Sequence, residues 1–152
     1  MKVVRVYIVD TNVLIAGLLS SQVESPTVKI VDAMLSGQLI YLLSPELLKE
    51  YRTVLLRPKL LRLHGLHEQQ IDDLLTEMTA NAIWHEVPAV AKESAPDPGD
   101  RHLWDLLATE PAAILVTGDR LLFDNPPQQR SIISPASCVV LALSEVKTSG
   151  GR

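Results

Sequence analysis

The chain has 152 residues, 47% hydrophobic and 21% charged, which fits one globular domain with a substantial core and excludes a disordered or low-complexity chain. Its formal charge of −4 does not announce a nucleic-acid binder and does not exclude one, because acids gathered around a metal can dominate the sum. No apolar run is long enough to span a bilayer, since Val6 to Leu19 is broken by Asp10 and Asn12, and the one cysteine, Cys138, cannot form an intramolecular disulfide.

Cys138 reads as a small buried hydrophobe, and the absence of a disulfide framework suits the cytoplasm. The N-terminus enters the fold almost at once and shows no signal-peptide cleavage pattern. Val6 to Val9 is a continuously apolar, largely β-branched run, the pattern of a central strand in a parallel sheet, and the first strand is expected over about Val3 to Val9. It ends abruptly in Asp10. Asn12 to Leu19 is expected as a short helix, followed by a loop to Pro26. Ser25-Pro26 supplies an N-cap and an N1 proline. The helix they open should run to about Ser36, with Val28, Val31, Ala33 and Leu35 in its apolar stripe and Gly37 as its stop.

Leu39 to Leu43 is the second predicted strand. Ser44-Pro45-Glu46 opens a helix carrying Leu47, Leu48, Tyr51, Val54 and Leu55 to about Arg57, where Pro58 is expected to end it. His67 to Ala82 follows as a helix with Ile71, Leu74, Leu75 and Met78 on one face. Ile83 to Val87 is a weaker third strand, and residues 90–95 connect without a strong signal. Asp97-Pro98-Gly99-Asp100 is a turn, and Asp100 heads a helix to about Thr109 that directs Leu103, Leu106 and Leu107 at the sheet. Ala113 to Val116 is the fourth strand, ending through Thr117-Gly118 in Asp119. A short helix at Arg120 to Phe123, a turn at Asp124 to Pro127, an edge strand at Ser131 to Ser134 and a last helix from Pro135 to about Glu145 complete the chain. Strands alternating with helices define a single α/β domain over residues 1–146, three-layered α/β/α around a parallel sheet of four to five strands, with a frayed tail at 147–152.

Two strands that end in Asp10 and Asp119 place two carboxylates on one edge of such a sheet, where open α/β sheets hold their ligands. Glu50 lies one turn beyond Glu46 on the helix after the second strand, and Asp100 opens the helix before the fourth. Each acid alone is more often structural, Asp being a common N-cap. Together they would repel, and some would protonate unless a cation sat among them. Hard oxygen donors select Mg²⁺ or Mn²⁺. Zinc is disfavoured: Cys138 stands alone, His64 and His67 flank Gly65 and read as surface residues, and His102 reads as solvated. Acids without a Ser, Cys or Lys nucleophile permit attack of an activated water on a phosphodiester.

Val9-Asp10-Thr11-Asn12-Val13, Ser44-Pro45 followed by Glu50 and Arg57-Pro58-Lys59, Asp97-Pro98-Gly99-Asp100 and Val116-Thr117-Gly118-Asp119 occur in an order that resembles the PIN domain. The likeness runs from the first strand to about Ser134 and is greatest to bacterial PIN proteins of toxin–antitoxin systems, similar to VapC toxins. The resemblance implies a Mg²⁺- or Mn²⁺-dependent endoribonuclease, a homodimer, and neutralisation by an antitoxin. It assigns Asp10, Glu50, Asp100 and Asp119 as metal ligands and catalytic acids, with Asn12 and Thr117 supporting them by hydrogen bonds. Asp97 is the alternative to Asp100, which is favoured because it heads the helix. Gly99 departs from the family, which often has another acid there.

RNA would need basic groups around these acids. Lys49, Arg52, Arg101 and Arg120 are the candidates for phosphate contact, with Arg57, Lys59 and Arg62 weighed as a solvated face. Aromatic residues make up 4% of the chain, too few for a base-stacking platform, and Trp84 and Trp104 are expected in the core or at a dimer contact. Two other readings compete. One is a PIN-like module that binds RNA or protein without cutting. The other is a haloacid-dehalogenase-type phosphatase, which needs a second Asp where this chain has Asn12.

Overall fold

The computed structural model describes residues 4–87, 91 and 93–143. β1 (Val6–Val9) is buried along its whole length. It pairs in parallel with β4 (Ala113–Val116), Val6 opposite Ala113 and Val9 opposite Val116. β5 (Ile132–Ile133) lies parallel on the far side of β4. β2 (Leu42–Leu43) and β3 (Ile83–Trp84) form a second parallel pair. A parallel bridge between Tyr7 and Tyr41 joins the two ladders, and the Tyr7 N–H donates to the Ile40 carbonyl at 2.9 Å. The strands therefore run β3-β2-β1-β4-β5, all parallel, with the carboxyl ends of β1 and β4 side by side at the centre. The five predicted strands are present: β4 has its predicted bounds, and β1, β2, β3 and β5 are shorter than predicted, Val3 of the first lying outside the described residues.

Seven of the helices lie where the periodicity placed them: α1 (Thr11–Leu19), α2 (Pro26–Ser36), α3 (Pro45–Leu55), α5 (Glu68–Asn81), α6 (Arg101–Thr109), α7 (Arg120–Phe123) and α8 (Pro135–Cys138). The Ser44 hydroxyl accepts the Leu47 N–H at 3.1 Å and fixes the start of α3. α2 packs on α1, α5 and α8, α6 packs on β4, and α3 touches α1, α5 and α6, so the helices cover the sheet as an α/β/α sandwich.

Three expectations need correction. Pro58 does not terminate the helical region; it is N1 of a further helix, α4 (Pro58–His64), entered through an extended Arg57 and closed by Gly65 in the left-handed conformation at φ 69°. A proline lacks the N–H that the first turn would leave unpaired anyway, so it starts a helix as readily as it stops one. On α2 the fully buried face is Ile30, Val31, Ala33 and Met34. Val28 and Leu35 lie at its margins, because Ile30, Ala33 and Met34 hold the true helical spacing. His64 is not a surface residue: its Nε2 lies 3.0 Å from the Leu55 carbonyl and its Nδ1 accepts the Leu66 N–H at 3.0 Å, latching α4 to α3.

Trp104 is buried in the core, whereas Trp84 is exposed on β3. Cys138 is fully buried, and burial pushes its thiol up to about 12. After α8 the chain makes a π-type turn, Val139–Leu143. The predicted end of the last helix at Glu145, the tail at 147–152, and residues 90 and 92 of the connection lie outside the described residues. No helix among the described residues is long and apolar enough to cross a membrane.

Candidate active site at the carboxyl edge of the sheet

Asp10 follows β1 directly and caps α1 in extended geometry, with 5% of its surface exposed. Its Oδ1 accepts the Thr11 N–H at 2.8 Å. Its Oδ2 accepts the Thr117 hydroxyl at 2.7 Å and the Asn12 amide at 3.0 Å. Thr117 is fully buried at the end of β4, and its hydroxyl oxygen also accepts the Asp119 N–H at 3.0 Å. The Asn12 carbonyl oxygen in turn accepts the Gly118 N–H at 3.2 Å. One web of hydrogen bonds thus ties the two strand ends together around a single carboxylate. Burial drives the Asp10 pKa up, against the bonds from Thr117 and Thr11 that favour its ionised form, and the negative charges of Glu50 and Asp119 push it further up.

Glu50, on α3, is brought to the same edge. The Thr11 hydroxyl donates to its Oε2 in a short contact, and His102 Nε2 stands 3.5 Å from its Oε1. His102 holds the Glu50 carboxyl below the usual range; burial opposes this, and Thr11 and Arg57 add to the lowering. Beside them Tyr51 donates its hydroxyl to the Val9 carbonyl at 2.5 Å, fixing the last residue of β1 against α3. Asp100 heads α6 after the short 3₁₀ turn Pro98–Asp100. Burial, then the charges of Asp10, Asp97 and Glu50, push its carboxyl up to about 6. Asp97 is exposed and engaged on the turn, accepting the Gly99 N–H at 2.9 Å. Asp119 caps α7, its Oδ1 accepting the Leu121 N–H at 2.9 Å.

The four acids therefore share one electrostatic neighbourhood: Asp10 responds to Glu50 and Asp119, and Asp100 responds to Asp10 and Glu50. They do not form a finished cage. Among the described residues no group of three or more His, Cys, Asp or Glu side chains is arranged to hold a metal ion. The donor chemistry nevertheless fits Mg²⁺ or Mn²⁺, because such ions keep several waters and take only one or two carboxylates from the protein. A buried carboxylate repelled by its neighbours is the feature a cation would relieve.

The basic candidates divide. Arg52 is turned away from the acids and bound to α5, its Nε 2.8 Å from Asp72 and an Nη 2.8 Å from Glu68. Arg101 and Arg120 make only long i, i+4 pairs, to Asp105 at 3.8 Å and Asp124 at 3.7 Å, and both are largely exposed. Lys49 is exposed. Arg57, set aside as part of a solvated face, acts on Glu50. His102, expected to be solvated, is 15% exposed and faces Glu50. The buried Leu106, one turn on at i+4, shares its helix face and is the signal that would have placed it inward.

The chain is a parallel α/β domain with acids gathered at the central carboxyl edge of its sheet. The PIN domain family matches residues 6–121, most of the chain, and the chain belongs to that family; PIN domains are commonly nucleases, which bind nucleic acid. Comparison with curated proteins and with solved structures returned no match. Family membership also sets aside the phosphatase reading: Asn12 is a hydrogen-bond donor to Asp10 at 3.0 Å rather than an acid–base partner.

Proposed function

We propose that this protein is a Mg²⁺- or Mn²⁺-dependent endoribonuclease that hydrolyses RNA phosphodiesters with an activated water, and that it serves as the toxin of a cytoplasmic toxin–antitoxin module. The observation that carries the reading is Asp10: a buried carboxylate, oriented by three donors and crowded by Glu50, Asp119 and Asp100. Asp10, Glu50, Asp100 and Asp119 would hold the ion, which when bound lowers the pKa of its water and offsets charge at the reacting phosphate. Asn12 and Thr117 orient Asp10 by hydrogen bonds, and the bond from Thr117 favours its ionised form. Arg101 and Arg120, with Lys49 and Arg57 behind them, would meet the RNA backbone. Asp97 shapes the turn that presents Asp100. A second copy of the chain and a cognate antitoxin are the proposed protein partners.

A module that binds RNA or protein without cutting is the second reading, favoured by the lack of a finished metal cage among the described residues. The two are separated by incubating purified protein with a panel of single-stranded RNAs under Mg²⁺, Mn²⁺ or EDTA, beside Asp10→Asn. Cleavage that requires metal and is lost in the variant establishes the nuclease. RNA retention without cleavage under any of these conditions establishes the binding module instead.

A further inference from the structure

His102 has no evident reason to be buried. It occupies the second position of α6, its side chain is 15% exposed, and both ring nitrogens are closed to solvent without a hydrogen-bond partner among the described residues. A buried polar group left in that condition is costly, and natural folds retain few of them without a purpose. The group its Nε2 faces is Oε1 of Glu50, at 3.5 Å. The opposite oxygen of the same carboxylate already takes the Thr11 hydroxyl.

Glu50 needs such a grip more than Asp10 does. Asp10 has a short side chain locked by three donors. Glu50 hangs from α3 on a longer side chain with 31% of its surface exposed, and one hydroxyl cannot set the plane of its carboxylate. His102, entering from α6 on the other side, can.

Resting on the nuclease reading above, we propose that His102 is a positioning residue: its Nε2–H closes on Oε1 of Glu50 and, with Thr11 on Oε2, fixes that carboxylate toward Asp10. Partners of this kind around a ligating carboxylate typically carry a 10- to 100-fold effect on metal affinity.

The test measures Mn²⁺ affinity by calorimetry, melting temperature, and the imidazole N–H signals of ¹⁵N-labelled metal-free protein. His102→Ala is expected to weaken Mn²⁺ binding about tenfold. His102→Gln, whose amide nitrogen reaches the place of Nε2, restores it, and His102→Asn, which is shorter, does not. In a Glu50→Gln background His102→Ala brings no further loss. The metal-free protein shows a slowly exchanging Nε2–H that disappears in Glu50→Gln. Wild-type affinity in His102→Ala overturns the proposal, as does an equal loss in the Ala and Gln variants that persists without Glu50, because His102 would then act through packing. If the wild-type protein neither binds Mn²⁺ nor cuts RNA, the nuclease reading fails by itself, and the Nε2–H signal still decides whether His102 holds Glu50.

Discussion

The Thr117 hydroxyl donates to Oδ2 of Asp10 across 2.7 Å, joining the turn after β4 to the residue that ends β1. Both partners are buried, and the acceptor is the carboxylate on which the site is built. A buried hydrogen bond to a charged group contributes about 1.5–3 kcal/mol. Thr117→Val keeps the shape and removes the donor. It should cost stability in that range by urea unfolding and raise the Asp10 pKa further, weakening Mn²⁺ binding. A variant as stable as wild type, with unchanged metal affinity, would show that Asn12 and Thr11 alone suffice to hold Asp10.

The acids also predict how stability depends on pH in EDTA. Asp100 has its folded carboxyl raised from 3.8 to about 6, and Asp10 is shifted in the same direction. A raised acid binds its proton more tightly in the folded state, so its stabilising effect is complete below 3.8 and is lost as pH rises through about 6. Glu50 is shifted down from 4.5, so its contribution is present above that value and is lost on acidification below it. The two windows share only the range between 3.8 and 4.5. Between pH 4.5 and 7 the melting temperature of the metal-free protein should therefore carry a falling component from Asp100 and Asp10. Asp100→Asn should reduce that fall, and Mn²⁺ at pH 7 should offset it. Superimposable pH profiles for the variant and wild type would place Asp100 outside the cluster.

The strands and most helices were legible because hydrophobic period and capping residues agree: Val6–Val9 and Ala113–Val116 are unbroken apolar runs, and Ser25-Pro26 and Ser44-Pro45 each start a helix. The supporting roles of Asn12 and Thr117, implied by the resemblance, have hydrogen-bonded counterparts at Asp10. What stayed hidden depends on contacts between segments distant in sequence. Arg52 looked free for RNA, and only the packing of α3 on α5 reveals Asp72 and Glu68 beside it. Arg130 carries no local motif, yet its guanidinium donates to the carbonyls of Leu107, Glu110 and Ala113, binding the end of α6 to the start of β4. Pro58 could stop one helix or start another, and the local sequence does not choose.

The crossing of α1 and α2 depends on Gly17. A Cβ built there would lie 2.5 Å from Val31 Cγ2 and 2.6 Å from the Thr27 carbonyl oxygen. The second of these neighbours is backbone and cannot move without shifting α2. Alanine would ordinarily favour a helix by about 1 kcal/mol over glycine. Here the overlap should dominate, and Gly17→Ala should destabilise by about 1–3 kcal/mol, read from the denaturant midpoint at unchanged slope. Since Asp10 caps α1, metal affinity should fall with it. A stabilised Gly17→Ala protein would mean that the helices part at small cost.

Arg101 and Arg120 flank the acids, exposed and only loosely paired at 3.8 and 3.7 Å, whereas Arg52 is bound to two carboxylates at 2.8 Å. If phosphates approach the acid edge, the first two should neutralise them and the third should not. Removing a cation that neutralises one phosphate reduces the slope of log affinity against log salt by about 1. Arg101→Ala and Arg120→Ala should therefore each raise the KM for RNA at low salt, flatten its salt dependence, and leave kcat nearly unchanged. Arg52→Ala should lower the melting temperature by removing the α3–α5 ion pairs while the salt slope stays at its wild-type value. Measuring KM for a short RNA at several salt concentrations in the three variants separates these roles. A flattened slope in Arg52→Ala alone would move the RNA path from the acid edge to the groove between α3 and α5.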